Sequence, residues 1–158
     1  MSLSLLFPQQ ANNDYRGSKF ALWLFPLLAL AILARSLIHF LKSDGGINSI
    51  ATIITFEGTP DPDRVIYLFA SLWGSQQVIM AMLYGVVMVR YRALIPLMYL
   101  LIIIELCFRL ISGSLHPLTE VYYLQTPPGS AGNIPALIIV SILLLLSLRR
   151  SRQEQINP

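Results

Sequence analysis

Residues 93–112, ALIPLMYLLIIIELCFRLIS, decide the fold class. An apolar run of about 20 residues is what an α-helix needs to cross the hydrocarbon core of a bilayer. This one carries Glu105 and Arg109 well inside it. A charge at the centre of a membrane helix costs roughly 2.5–3.5 kcal/mol on insertion scales, so such residues usually face protein partners or water. The stretch therefore predicts both a membrane span and a place where the span meets other polar groups.

Three more apolar stretches accompany it: 20–41, 65–89 and 134–148. Of the 158 residues, 55% are hydrophobic and only 12% are charged. Soluble domains average about 25% charged, so this composition excludes an ordinary soluble domain. The mean hydropathy of +0.65 agrees. The basic residues flank the apolar segments, which is how membrane orientation is set, and they do not form a nucleic-acid-binding patch. The single cysteine, Cys107, rules out an internal disulfide. Residues 20–41 superficially fit a cleaved signal peptide, with a basic start and Ala29-Leu30-Ala31. The apolar run continues past that site through Arg35 to Leu41, and a helix is the expectation.

The predicted fold is all-α: an integral membrane four-helix bundle running up-down-up-down, with a short interfacial helix between the first two spans. Residues 1–18 form an N-terminal tail or a surface segment. Residues 19–150 form one transmembrane domain, with helices at about 20–41, 64–90, 93–112 and 133–149, and 151–158 are a C-terminal tail. Ser43-Asp44-Gly45-Gly46 ends the first helix. Residues 47–56 are too short to span and predict the interfacial helix. In GTPDPDR (58–64), Asp61 suits a cap, Pro62 a first turn and Asp63 the helix dipole. With Glu57 these acids are too few for a calcium loop. Tyr91-Arg92 is a very short link, so the second and third spans should pack closest. Asn133 is expected to cap the fourth.

Arg16 and Lys19, Arg90 and Arg92, and Arg149, Arg150 and Arg152 fall on one side of this arrangement. The loop after the third span has no Lys or Arg between Arg109 and Arg149. The positive-inside rule then puts both termini in the cytoplasm, in a plasma (bacterial inner) membrane.

Folding the chain about Tyr91 matches depths between the second and third spans. Gln77 falls level with Glu105 and Trp73 with Arg109, with Gln76 close by. Glu105 is about 10 Å, and Arg35 about 9 Å, below the outer ends of their helices, at 1.5 Å per residue. Three spans thus bring Arg35, His39, Trp73, Gln76, Gln77, Glu105 and Arg109 to one depth. Glu105 and Arg109 are spaced i, i+4 with the acid first, Arg109 can lie over Trp73, and Gln77 can bond Glu105. The cluster reads either as polar glue holding the bundle in register or as a site with surplus positive charge. Such a site suits an anionic lipid headgroup, a carboxylate or a quinone ring. A proton or ion path lacks a second acid at another depth.

On the second span Ala70, Gly74, Ala81 and Gly85 form a small-residue stripe that lets another helix approach closely. The stripe suits an accessory or assembly subunit packed against other membrane proteins, or a homo-oligomer. In the loop 113–132, His116 and Glu120 could pair, yet two ligands are too few for zinc and no metal site is expected. They are also the only plausible acid–base pair, so no catalytic residue is assigned, and no cofactor beyond a lipid or quinone.

Residues 72–85 (LWGSQQVIMAMLYG), the link VRYRA (89–93), the ending ELCFRLISG (105–113) and the short INSIATIITF (47–56) resemble the small four-span DoxX-like and DUF4345-type membrane proteins. The resemblance covers about half the chain. It implies a four-helix bundle, and some such proteins look like accessory partners of membrane oxidoreductases.

Overall fold

The computed structural model describes residues 3–149; the tail 150–158, with the expected topogenic Arg150 and Arg152, lies outside the described residues. Its helices are α1 (Leu3–Leu6), α2 (Lys19–Leu41), α3 (Asp63–Arg90), α4 (Ile95–Leu115) and α5 (Pro128–Ser147). Single 3₁₀ turns at Arg92–Leu94 and Glu120–Tyr122 complete the order. No strand occurs among the described residues. Four of the helices are long and apolar enough to cross a membrane. Their outward faces carry large apolar side chains such as Trp23, Phe69 and Ile134, each more than half exposed. Exposed apolar surface on that scale marks contact with lipid or protein rather than water.

Two helix boundaries depart from expectation. α4 runs on to Leu115, past Ser112. α5 starts at Pro128, so Asn133 sits inside the helix and does not cap it. The PPGSAG stretch reads as loop, yet a proline at the first helical position needs no N–H and has the right φ already. Residues 47–56 form no helix. They begin as turns and then extend, and Ile53 makes an isolated antiparallel bridge with Tyr123. Ile54 N–H donates to the Tyr122 carbonyl (3.1 Å) and Leu124 N–H to the Thr52 carbonyl (2.9 Å). The two long loops therefore clasp each other.

The first loop is built around Asp44. Its carboxylate accepts from the N–H groups of Gly46 (3.0 Å) and Ser49 (2.8 Å). Burial opposes its ionisation, but the bonds from Ser49 and Gly46 and the Lys42 charge outweigh that and hold the carboxyl down at about 2. Gly45 and Gly46 have φ of +59° and +75°, which side-chain-bearing residues rarely adopt. Further on, the Asp61 carboxylate accepts from Asp63 N–H (3.0 Å), beside the start of α3.

The opposite end is closed by residues 12–18. Ala93 N–H donates to the Asn12 carbonyl (3.1 Å), Asn13 Nδ2 to Val89 (3.2 Å) and Ser18 N–H to Leu146 (3.3 Å). Arg16, Lys19, Arg90, Arg92 and Arg149 consequently share one end of the molecule, and the clasped loops occupy the other.

Packing corrects one expectation. The second and third spans, α3 and α4, touch only slightly despite their short link. The extensive contacts are α2 on α3 and α4 on α5, with α2 also meeting α5. The reason is Gly74: a Cβ there would stand 2.5 Å from the Phe40 nitrogen and 2.8 Å from the His39 carbonyl carbon. Only glycine allows α2 and α3 to approach so closely. The core joining the two pairs centres on Phe25, fully buried, whose ring meets Tyr84 and Tyr99 edge-on at 5.9 and 5.4 Å. Tyr99 hydroxyl donates to the Ala21 carbonyl at 2.7 Å, so this buried polar group is satisfied. Arg35 lies ten residues beyond Phe25 on α2, about 15 Å further along the axis.

Candidate functional site

The site grows from Gln77, buried on the inner face of α3. An amide is donor and acceptor at once, so it can bridge a cation and an anion. Its Oε1 accepts from Arg35 Nη2 of α2 at 2.9 Å, with Ser36 Oγ a further 3.5 Å contact. Its Nε2 donates to Glu105 Oε1 of α4 at 2.5 Å. Arg109 Nη2, one turn along α4, donates to the same Glu105 oxygen. Arg35 Nη2 stands 3.8 Å from it. One carboxylate thus serves two guanidinium groups and the Gln77 amide across three helices.

Trp73, one turn before Gln77, supplies a second partner to both arginines. The Arg35 and Arg109 guanidinium carbons lie 5.4 and 5.3 Å from its ring centre. Cation–π contacts of this kind contribute about 0.5–2 kcal/mol, most where water is excluded. His39 borders the group: its ring is 4.7 Å from that of Trp73. His39 Nδ1 is 2.7 Å from the Gly45 carbonyl. A carbonyl only accepts, so Nδ1 carries the proton and His39 ties the loop to the cluster.

The expected set therefore meets at one level, with one exception. Gln76 is exposed and makes no hydrogen bond to the cluster among the described residues. The α-helical turn of 100° per residue points it away when Gln77 points in. Of the small-residue stripe, Ala70, Gly74 and Ala81 are buried. Gly85 is exposed, with no atom within 4 Å of where its Cβ would stand. His116 and Glu120 are both exposed and no ion pair joins them.

A cavity of about 330 Å³ opens beside the cluster. Its floor is apolar: Leu28 and Ile32 of α2, Ile102 and Leu106 of α4, Ala136 and Val140 of α5. Its upper wall is Arg35, Glu105 and Arg109, facing the first turns of α5 with Pro128, Gly129, Gly132 and Asn133. Side-chain exposure of 30% for Arg35 and Glu105 and 18% for Arg109 keeps the charged groups reachable. Arg109 Nε is buried without an acceptor. Leaving a buried donor unsatisfied costs about 1–3 kcal/mol.

Sequence reasoning missed Ser36 and every residue contributed by α5. Ser36 carried a signal, being polar and adjacent to Arg35 in an apolar run. Gly129 and Gly132 carried none, because the stretch resembles a loop until α5 is seen to begin at Pro128.

A second cavity, of about 300 Å³, lies at the opposite end under the N-terminal segment. Its charged residues Asp14 and Arg16 form an exposed pair at 2.8 Å, so it lacks the half-buried charge of the first. No family model matches the chain, and no curated protein or solved structure matches it.

Proposed function

We propose that this protein is a small polytopic membrane protein whose cavity between α2, α4 and α5 binds an amphiphile, such as an anionic lipid, a quinone or a similar molecule. In this proposal the four spans run alternately up and down, both termini are cytoplasmic, and the cluster lies in the outer half of the plasma membrane. The observation that carries the proposal is the cavity's gradient. It is apolar from Leu28 to Ile32 and ends on Arg35, Glu105 and Arg109. Amphiphile sites take this form, with an apolar wall for the tail and a few placed polar groups for the head. Polar glue alone needs no space beside the charges.

The test is extraction of the protein from native membranes in a mild detergent, followed by mass spectrometry of what remains bound. An amphiphile held in near-stoichiometric amount, and depleted in Arg35→Gln, supports binding. An equal yield from wild type and variant would mean passive carry-over and end the proposal.

Accessory packing against another membrane protein, or against a second copy, is the alternative. Its first motive weakens because α2 fills the stripe at Gly74 and the loop residue Gly45 stands against Ala70. Gly85 still favours it, since this open glycine lies on the outward face of α3. The same preparation reports on it, through any subunit that co-purifies. An enzyme lacks support: His116 and Glu120 do not line the cavity.

A further inference from the structure

Four features of the cavity bear on the head group it selects. The first is charge. Arg35 and Arg109 contribute two positive charges and Glu105 one negative, so the cluster retains one positive charge. A surplus charge kept from water is costly unless paired. The second is donor capacity. Glu105 Oε1 and Gln77 Oε1 engage only the Nη2 atoms of the two arginines. Arg35 Nε and Nη1 and Arg109 Nη1 have no acceptor among the described residues.

The third feature is the opposing wall. Ser130 and Ala131 N–H groups donate to the Pro127 carbonyl (2.9 and 3.1 Å), which leaves the Gly129 N–H without an acceptor among the described residues. The Asn133 side chain, one turn on, also makes no hydrogen bond among the described residues. The positive end of the 20-residue α5 thus faces the two guanidinium groups across the cavity. The fourth is size: below these donors the lining is apolar, a volume of about 330 Å³ leaves room for one alkyl chain rather than two, and no second polar group receives a neutral head deeper in.

Donors converge from both walls and Glu105 alone opposes them. We infer that the cavity selects the head of a single-chain amphiphile bearing one negative charge, either a fatty-acid carboxylate or a lysolipid phosphodiester. The inference rests on the amphiphile-binding proposal and narrows it. A neutral quinone or alcohol leaves the surplus charge uncompensated. A dianion overshoots it and meets Glu105.

The two tryptophans make the test direct. Trp23 is exposed on the outer face, and Trp73 adjoins both arginines. In a Trp23→Phe variant in dodecyl maltoside at a pH of about 8.5, where palmitate is ionised and hexadecyl phosphate is the dianion, Trp73 emission is titrated with palmitate, palmitoyl-lysophosphatidylglycerol, hexadecanol and hexadecyl phosphate. The expected result is a saturable change with at least one of the two monoanions. Its half-saturation should fall at least tenfold below those of hexadecanol and hexadecyl phosphate. Arg35→Gln should erase that preference. Gln77→Glu, which neutralises the surplus from within, should erase it too, provided helix content by circular dichroism is kept. The four-probe comparison on the Trp23→Phe protein decides the matter without these variants. Hexadecanol or hexadecyl phosphate binding within tenfold of the tighter monoanion, or more tightly than it, overturns the inference and leaves the amphiphile proposal standing. No saturable response to any probe overturns the inference as well, and the co-purification experiment decides the wider proposal.

Discussion

At the scale of single residues the protein concentrates its polar chemistry in Gln77 and Glu105. Gln77 works because its carbonyl faces Arg35 and its NH₂ faces Glu105. A carboxylate only accepts and could not make both contacts. Glu105 carries the only negative charge there, and two arginines depend on it. Substituting Glu105→Gln strands two guanidinium groups in a low-dielectric setting. Removal of one partner from a fully buried ion pair costs about 3–5 kcal/mol, and the partial exposure here reduces that to about 1–3 kcal/mol. Unfolding in mixed detergent micelles should show that loss. An unchanged midpoint would mean that solvent, rather than Glu105, compensates the arginines.

At the scale of elements, two glycines on one helix have opposite meanings. Gly74 holds α2 and α3 together because no Cβ fits against the His39–Phe40 backbone. Backbone atoms cannot swing aside as a side-chain end can, so Gly74→Ala should cost about 1–3 kcal/mol, the usual range for overpacking. Gly85 meets nothing. Gly85→Ala should be neutral or should stabilise α3 by about 0.5–1 kcal/mol through helix propensity. Thermal melts of the two variants side by side check the contrast. A Gly85→Ala protein that melts as early as Gly74→Ala would reveal a close partner on the outer face of α3. The same steric fact governs which helices pair. The tight Tyr91 link leads to the expectation that the spans it joins pack closest. A short link, however, only limits the distance between two helix ends, whereas a glycine at the crossing sets the distance between two axes.

For the whole molecule, two ends with different character follow from the hydrogen bonds between distant segments. Arg16, Lys19, Arg90, Arg92 and Arg149 gather where the N-terminal segment crosses Val89, Ala93 and Leu146, and the long loops clasp at Ile53 and Tyr123. Residues opposed in an antiparallel bridge have Cα atoms about 4.5–5.5 Å apart, within the range a disulfide spans. With Cys107 replaced by Ser, the pair Ile53→Cys and Tyr123→Cys should therefore oxidise to an intramolecular cross-link, seen as a mobility shift on a non-reducing gel. The single cysteines at those positions should react with an impermeant maleimide added outside intact cells, as the distribution of Arg and Lys predicts. Reaction only after lysis would invert the topology and put the cavity in the cytoplasmic half.

Much of this protein could be read one residue at a time. Hydropathy along the chain determined four helices of spanning length, because the cost of placing each side chain in an apolar medium is largely a local property. Counting residues from the helix ends determined that Arg35, Gln77, Glu105 and Arg109 share a depth, because the rise per residue is constant. Three-dimensional packing alone decided the rest. It paired α2 with α3 and α4 with α5, turned Gln76 away, clasped the two loops through Ile53 and Tyr123, and drew Pro128 to Asn133 into α5 beside the arginines. Each of these depends on which surfaces fit at a contact between remote segments, and that fit is a property of pairs of elements which no single stretch encodes.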